Sequence, residues 1–261
     1  MSARTRITSM VASAALALAL AGCAATMDEG AVSTTVASDY AAALADPARP
    51  EADRGRDAVR KPAELLAFAQ IAPGESVGDW VMGGGYLTRV LAAAVGPEGR
   101  VYAFQPAEFI GFRKQYGDDQ KAVDDAYANV DAVSGPFAAA AWPVKLDTIV
   151  TVQNFHDLYL KPFPADTGPR GAASLFAALK PGGALVVVDH SAADGSGTTA
   201  ADTLHRIDRQ AVIGALTAVG FRLEAESDLW RRSDDHRSAN VFDAAIRGKT
   251  DQFALRFRKP R

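Results

Sequence analysis

Apolar residues in this chain fall into short unbroken runs punctuated by glycine and proline, and stretches of helical periodicity alternate with them. Residues 54–70 set Leu65, Leu66, Phe68 and Ile71 on one side of a helix that Pro73-Gly74 ends. Residues 77–82 read as a buried strand, broken by Gly83-Gly84-Gly85 and followed by a helix over 86–95 that stops at Gly96-Pro97. A second strand is predicted over 100–104, an exposed helical region over 109–128, a weak strand over 130–133 and a strong one over 146–152. A helix over 172–179 is stopped by Lys180-Pro181-Gly182-Gly183, and a fifth strand over 184–189 follows. A helix over 204–219 ends at Gly220, and final strands cover 221–229 and 251–259. In the last of these, Phe253, Leu255 and Phe257 alternate with Ala254, Arg256 and Arg258, so one face is the more polar. Gly248 is expected to end a short helix from Val241.

Alternating strands and helices, with nearly continuous apolar strands, predict a doubly wound α/β domain whose mostly parallel sheet is covered on both faces. The domain is expected to span residues 51–261. Ligands of such sheets bind beyond the carboxyl ends of the strands, where strand order reverses.

The first residues follow a different logic. Arg4 and Arg6 precede an uncharged run over 10–21, closed by Leu20-Ala21-Gly22-Cys23. The run is too short for a spanning helix, which needs roughly 20 apolar residues, and its layout is that of a secretory signal. The Leu-Ala-Gly-Cys ending resembles a bacterial lipoprotein signal. That resemblance implies removal of residues 1–22, lipid on Cys23, and a domain held at the periplasmic face of a membrane. Residues 23–50, rich in Ala, Ser, Thr, Asp and Pro, are expected to act as a tether. Translation starting at Met27 would instead leave the protein in the cytoplasm.

Composition narrows the partners. The 261 residues carry a net charge of −3, and loss of the first 22, which hold two Arg and no acid, leaves −5. A nucleic-acid partner calls for a basic surface and is not expected. With Cys23 the sole cysteine, disulfides and thiolate metal sites are excluded from the domain. No Gly-x-Ser-x-Gly elbow is present, so serine-hydrolase chemistry has no foothold.

Candidate chemistry gathers at the predicted strand ends. Glycines over 83–85 let a ligand approach bare backbone, and the helix start behind them favours negative charge. The dehydrogenase pattern G-x-G-x-x-G fails because Thr88 stands at its third glycine. His156 and Asp157 follow the fourth strand, His190 follows Asp189 at the end of the fifth, and His205 and Asp208 are expected to share a face at a helix start. A histidine titrating near neutrality removes a proton from an oxygen or nitrogen nucleophile, which makes His156, Asp157, His190 and His205 the catalytic candidates. Imidazoles and a carboxylate from His156, His190, His205 and Asp208 also suit zinc or iron. They match no ligand motif of known spacing, so no metal is assigned. His236, in the charged run 231–237, is expected in solvent. Arg54, Arg56, Arg60 and Arg206 either clamp an anion or cover an exposed face.

The segments Asp79–Thr88, Gly96–Ala103 and Leu179–Gly183 resemble class I S-adenosylmethionine-dependent methyltransferases, from about residue 55 to the C-terminus. Gln153–Asp157, Thr203–Asp208 and Gly248–Phe253 resemble, more narrowly, a group of bacterial predicted methyltransferases. The resemblance implies a Rossmann-like seven-stranded sheet with its last strand antiparallel, and a small-molecule substrate. It also implies S-adenosylmethionine lying over the turn, held by Asp79, Gly83, Gly84, Gly85, Tyr86 and Gln105. Two positions depart from the family pattern. Val81 stands where the turn has its first glycine, with a Cβ toward the methionine end of the cofactor. Gln105 replaces the acid that accepts from both ribose hydroxyls, and charge-assisted bonds are roughly twice as strong as neutral ones. A weakened hold on the cofactor is therefore expected. Because S-adenosylmethionine is made in the cytoplasm, a second reading stays open: a retired methyltransferase scaffold serving as an exported binding or sensing lipoprotein.

Overall fold

The computed structural model describes residues 40–261. The signal, Cys23, Met27 and most of the predicted tether lie outside the described residues. Seven strands form one sheet: β1 (Ser76–Trp80), β2 (Arg100–Pro106), β3 (Val130–Gly135), β4 (Leu146–Val152), β5 (Leu179–His190), β6 (Arg222–Ser227) and β7 (Gln252–Arg258). Their order is β3-β2-β1-β4-β5-β7-β6, with β7 antiparallel to both neighbours and the remaining pairs parallel. The expected seven-stranded, mostly parallel sheet with an antiparallel last strand is what the chain forms. Strand order reverses between β1 and β4, so the carboxyl ends of these two strands bound the crevice where a ligand is expected.

Apolar strands bury residues on both faces. Trp80, Phe104, Ile149, Leu185 and Phe257 pack one core. Val77, Val101, Val150, Val186 and Ala254 pack the other. Helices cover both faces, among them α5 (Tyr86–Val95), α8 (Thr167–Ala178) and α10 (Arg209–Ala218).

Several predicted boundaries move, each for a local reason. The single helix expected over 54–70 is three: α2 (Glu51–Arg54), α3 (Asp57–Arg60) and α4 (Pro62–Ala69). Pro62 disfavours helical backbone at Lys61, which turns left-handed at φ 49°. The region 109–128 splits into α6 (Ala107–Phe112) and α7 (Gln115–Ala126) at an extended Arg113. The Lys180-Pro181-Gly182-Gly183 segment does not stand outside the fifth strand but starts it irregularly. Its register jumps from Leu146↔Leu179 to Thr148↔Ala184, with Gly182 at φ +82°. Residues 241–248 form turns, not a helix, because Asn240 and Asp243 accept from the amides of Phe242 and Ala245.

The tether boundary also shifts. Residues 41–44 form a helical turn, α1, with Ala43 buried, and Tyr40 donates to the Ile71 carbonyl at 2.9 Å. Arg49 is fully buried and paired twice with Asp57. Residues 40–50 thus belong to the packed domain.

Candidate active site

The turn after β1 is shaped by its neighbours. The Val81 and Met82 amides both donate to the Phe104 carbonyl at 3.0 Å, and Gly85, at φ +79°, caps α5. Val81 also holds a left-handed conformation, φ +70°, which is costly for a β-branched residue. Its side chain and that of Met82 are buried in the two cores. What faces outward is backbone. A Cβ on Gly83 would meet nothing within 4 Å, and one on Gly84 would meet only Asp119 Oδ2 at 3.7 Å. Gly85 is different, since a Cβ there would lie 2.5 Å from Val123 Cγ2. Gly83 and Gly84 present backbone to open space, whereas Gly85 serves close packing.

Three of the other expected cofactor residues hold the turn from behind. Asp79 is buried and accepts from the Thr88 hydroxyl at 2.6 Å. Burial pushes its carboxyl up to about 6, against the hydrogen bonds from Thr88. Tyr86 turns its hydroxyl to Asp57 at 2.7 Å, beneath the guanidinium groups of Arg49, Arg56 and Arg60. Gln105, fully buried, accepts from the Gly83 amide at 3.0 Å and leaves its Nε2 without a partner. The oxygen expected to face a ribose is therefore turned to the loop, and a buried N–H donor remains.

Asp79 yields a pH-dependent expectation. Its pKa is raised above the ordinary 3.8, so its contribution is complete below that value and is lost as pH climbs through about 6. Asp79→Asn removes the charge while keeping an acceptor for Thr88. From pH 4 to pH 8 the wild type should lose about 2 kcal/mol more stability than the variant. Urea denaturation across that range checks this, and parallel pH profiles would show that Asp79 ionises without penalty.

At the ends of β4 and β5 a polar cluster forms. Gln153, at φ +65°, swings the chain out of β4 into a 3₁₀ turn, Phe155–Tyr159, which buries His156 and Asp157. His156 Nδ1 faces Asp189 Oδ1 at 2.8 Å, and the His156 amide donates to Asp189 Oδ2 at 2.8 Å. Nε2 of His156 lies 3.2 Å from Asp157 Oδ1 and 3.3 Å from His205 Nδ1. Burial alone would lower the proton affinity of His156, but the charges and hydrogen bonds of Asp189 and Asp157 outweigh it and raise the pKa. His205 moves the other way, because partial burial and the neighbouring His156 charge both lower it. Of the two rings, His205 is the more exposed and the one whose surroundings favour the uncharged form.

His190 is separate. Its Nδ1 pairs with the Thr250 hydroxyl at 2.8 Å, and burial lowers its pKa to about 4. Asp208 does not share a helix face with His205 either. The helix expected from 204 begins at Arg209, with Asp208 capping it through the Gln210 amide, while His205 sits before it at φ 52°. Arg206 is a buried structural cation held by Asp235, and His236 is exposed as expected. Asp189 is the residue the sequence reading passed over. An acid ending an apolar strand beside a histidine was the available signal, since a buried charge needs a partner.

No protein-family model matches the chain, and no curated protein shows significant similarity to it. Solved structures do. A SAM dependent methyltransferase from Aquifex aeolicus is 17% identical with a TM-score of 0.55, covering 86% of this chain and 97% of that one. The (4+2)-cyclase SpnF is 14% identical with a TM-score of 0.59, covering 88% and 95%. The glycopeptide N-methyltransferase MtfA complexed with sinefungin is 15% identical with a TM-score of 0.51, covering 78% and 87%. The fold is that of SAM-dependent methyltransferases. Identity this low carries the fold alone.

Proposed function

We propose that this chain is an S-adenosylmethionine-dependent methyltransferase acting on a small molecule, exported and lipid-anchored through Cys23. The observation that carries the reading is the side-chain-free backbone of Gly83 and Gly84, turned to open space at the switch point of the sheet. The residues fit the cofactor with an altered ribose contact: Gln105 offers a buried N–H donor where an acceptor was expected. When bound, S-adenosylmethionine supplies an electrophilic methyl group. This chain's part is to orient the nucleophile in line with it, which dominates such transfers. His205 takes the nucleophile's proton, and His156, fixed by Asp189, positions His205.

Calorimetry of the purified protein with S-adenosylhomocysteine tests the cofactor. Saturable heat is expected, and its absence at millimolar ligand would remove the transferase reading. Gly84→Val separates binding from folding, because its Cβ meets only the Asp119 carboxylate. Affinity should fall at least about tenfold while Tm stays within about 2 °C.

The retired-scaffold reading is favoured by the strained Val81 and by the Gln105 oxygen turned to Gly83. For the anchor, the Leu20-Ala21-Gly22-Cys23 ending is the support. Cys23→Ser should abolish lipid labelling and membrane fractionation, and unchanged membrane association would refute attachment there.

A further inference from the structure

We propose that His156, Asp157 and His205 form a mononuclear site for a divalent transition metal ion at the carboxyl edge of the sheet. The inference stands apart from the cofactor reading, because none of its three residues is one that reading assigns to the cofactor. Three donor atoms face one another: Nε2 of His156, Oδ1 of Asp157 and Nδ1 of His205. Their separations are 3.2, 3.3 and 3.9 Å. Metal–ligand bonds of about 2.0–2.2 Å place neighbouring donors roughly 3.0–3.4 Å apart, so two edges already fit and a small inward movement of His205 closes the third. His205 sits at a chain turn with about a quarter of its side chain exposed, so that movement is not opposed by core packing.

A second observation concerns what lies behind the donors. The far nitrogen of His156 is held by Asp189, a fully buried carboxylate whose oxygens also accept the amides of His156 and His190. Carboxylate–histidine–metal relays of this form fix the tautomer that turns the other ring nitrogen toward the ion. The two carboxylates supply the negative charge a divalent cation needs, and the site holds no thiolate. Imidazole and carboxylate donors select zinc, iron(II), cobalt or nickel over calcium or magnesium. On one side the ring of Phe242, itself exposed, packs edge-on against His205 at 4.8 Å. Three protein ligands leave further coordination positions for water or an anionic group of a substrate. A bound ion would lower the proton affinity of a coordinated hydroxyl, and His205 would then serve as its ligand in place of the base role proposed above for the metal-free protein.

The test uses the full chain, stripped with a chelator and titrated with Co²⁺ in the absence of any adenosyl ligand. One ion per chain is expected, with a visible ligand-field band. His205→Ala and Asp157→Asn should each weaken binding at least about 100-fold, and Asp189→Asn about 10- to 100-fold. His236→Ala, which alters an exposed histidine outside the cluster, should change nothing. The Cu²⁺ form of the unmutated protein gives a readout that does not depend on the variants folding: electron paramagnetic resonance should show two coordinated imidazole nitrogens. Absence of stoichiometric binding overturns the proposal, as does a copper spectrum without nitrogen ligation or unchanged affinity in both ligand variants. Because no cofactor enters the titration, its failure leaves the transferase reading to be judged by its own calorimetry.

Discussion

Replacing His156 with Ala is expected to destabilise the fold by about 3–5 kcal/mol, the range seen when one partner of a buried ion pair is removed. Asp189 has no solvent exposure, and the positive charge on His156 is what keeps its carboxylate below the usual range despite burial. Without the imidazole, that carboxylate retains two backbone amides but no counter-charge. The loss of packing adds to the effect, since the ring is itself almost fully buried. A second substitution apportions the cost. In the His156→Ala background, Asp189→Asn removes the stranded charge and leaves an acceptor for the amides. The double variant should recover about half of the loss. Urea denaturation at pH 7 of the wild type, both single variants and the double variant closes the cycle. If Asp189→Asn restores nothing, charge burial is not the origin of the penalty, and the ring acts through volume alone.

The same pair shows where sequence reading succeeds and where it stops. Strand identity was legible because short β-branched runs such as Val186-Val187-Val188, bounded by Gly182-Gly183, suit a sheet covered on both faces. The approximate position of the site followed, since His156 and His190 end consecutive strands. Their pairing did not follow. Periodicity fixes which face a residue occupies, but not which of several side chains at a sheet edge will meet. His156 joins Asp189 and His205, 33 and 49 residues away, whereas His190 turns to Thr250. The helix predicted from 204 failed for a related reason. Apolar spacing continued across it, but Asp208 competes as a cap, and Ile207 pairs with Ser191 as an isolated bridge. That bridge pulls residues 205–207 onto the sheet edge and brings His205 to His156. Gln105 stands near the end of β2, but which group its amide oxygen accepts from is not legible in the sequence, because that donor lies in a turn 22 residues earlier.

Arg206→Met is expected to cost about 3–5 kcal/mol and to disorganise the site from a distance. The sequence left Arg206 open as an anion clamp or a surface cover, and the fold makes it neither. Its guanidinium is fully buried, with NH1 and NH2 donating to the two oxygens of Asp235 at 2.8 and 3.1 Å. The remaining contacts go to the carbonyls of Ser191 and Ala239. One side chain thus ties the end of β5, the turn carrying His205 and the loop between β6 and β7. Methionine fills much of the volume, so the loss isolates hydrogen bonding and charge. Its pH dependence is diagnostic. Burial would raise the pKa of Asp235, but hydrogen bonds from Arg206 and from the amides of Asp251 and Arg237 keep it below the ordinary 3.8. In the wild type that contribution is present above pH 3.8 and is lost as pH falls through the lower folded value. In the variant, Asp235 takes up its proton at higher pH and sheds the penalty of a buried charge. The gap between the two proteins should be widest near pH 7 and should narrow below about pH 4. A constant gap across that range would mean that packing, rather than the ion pair, is what Arg206 contributes.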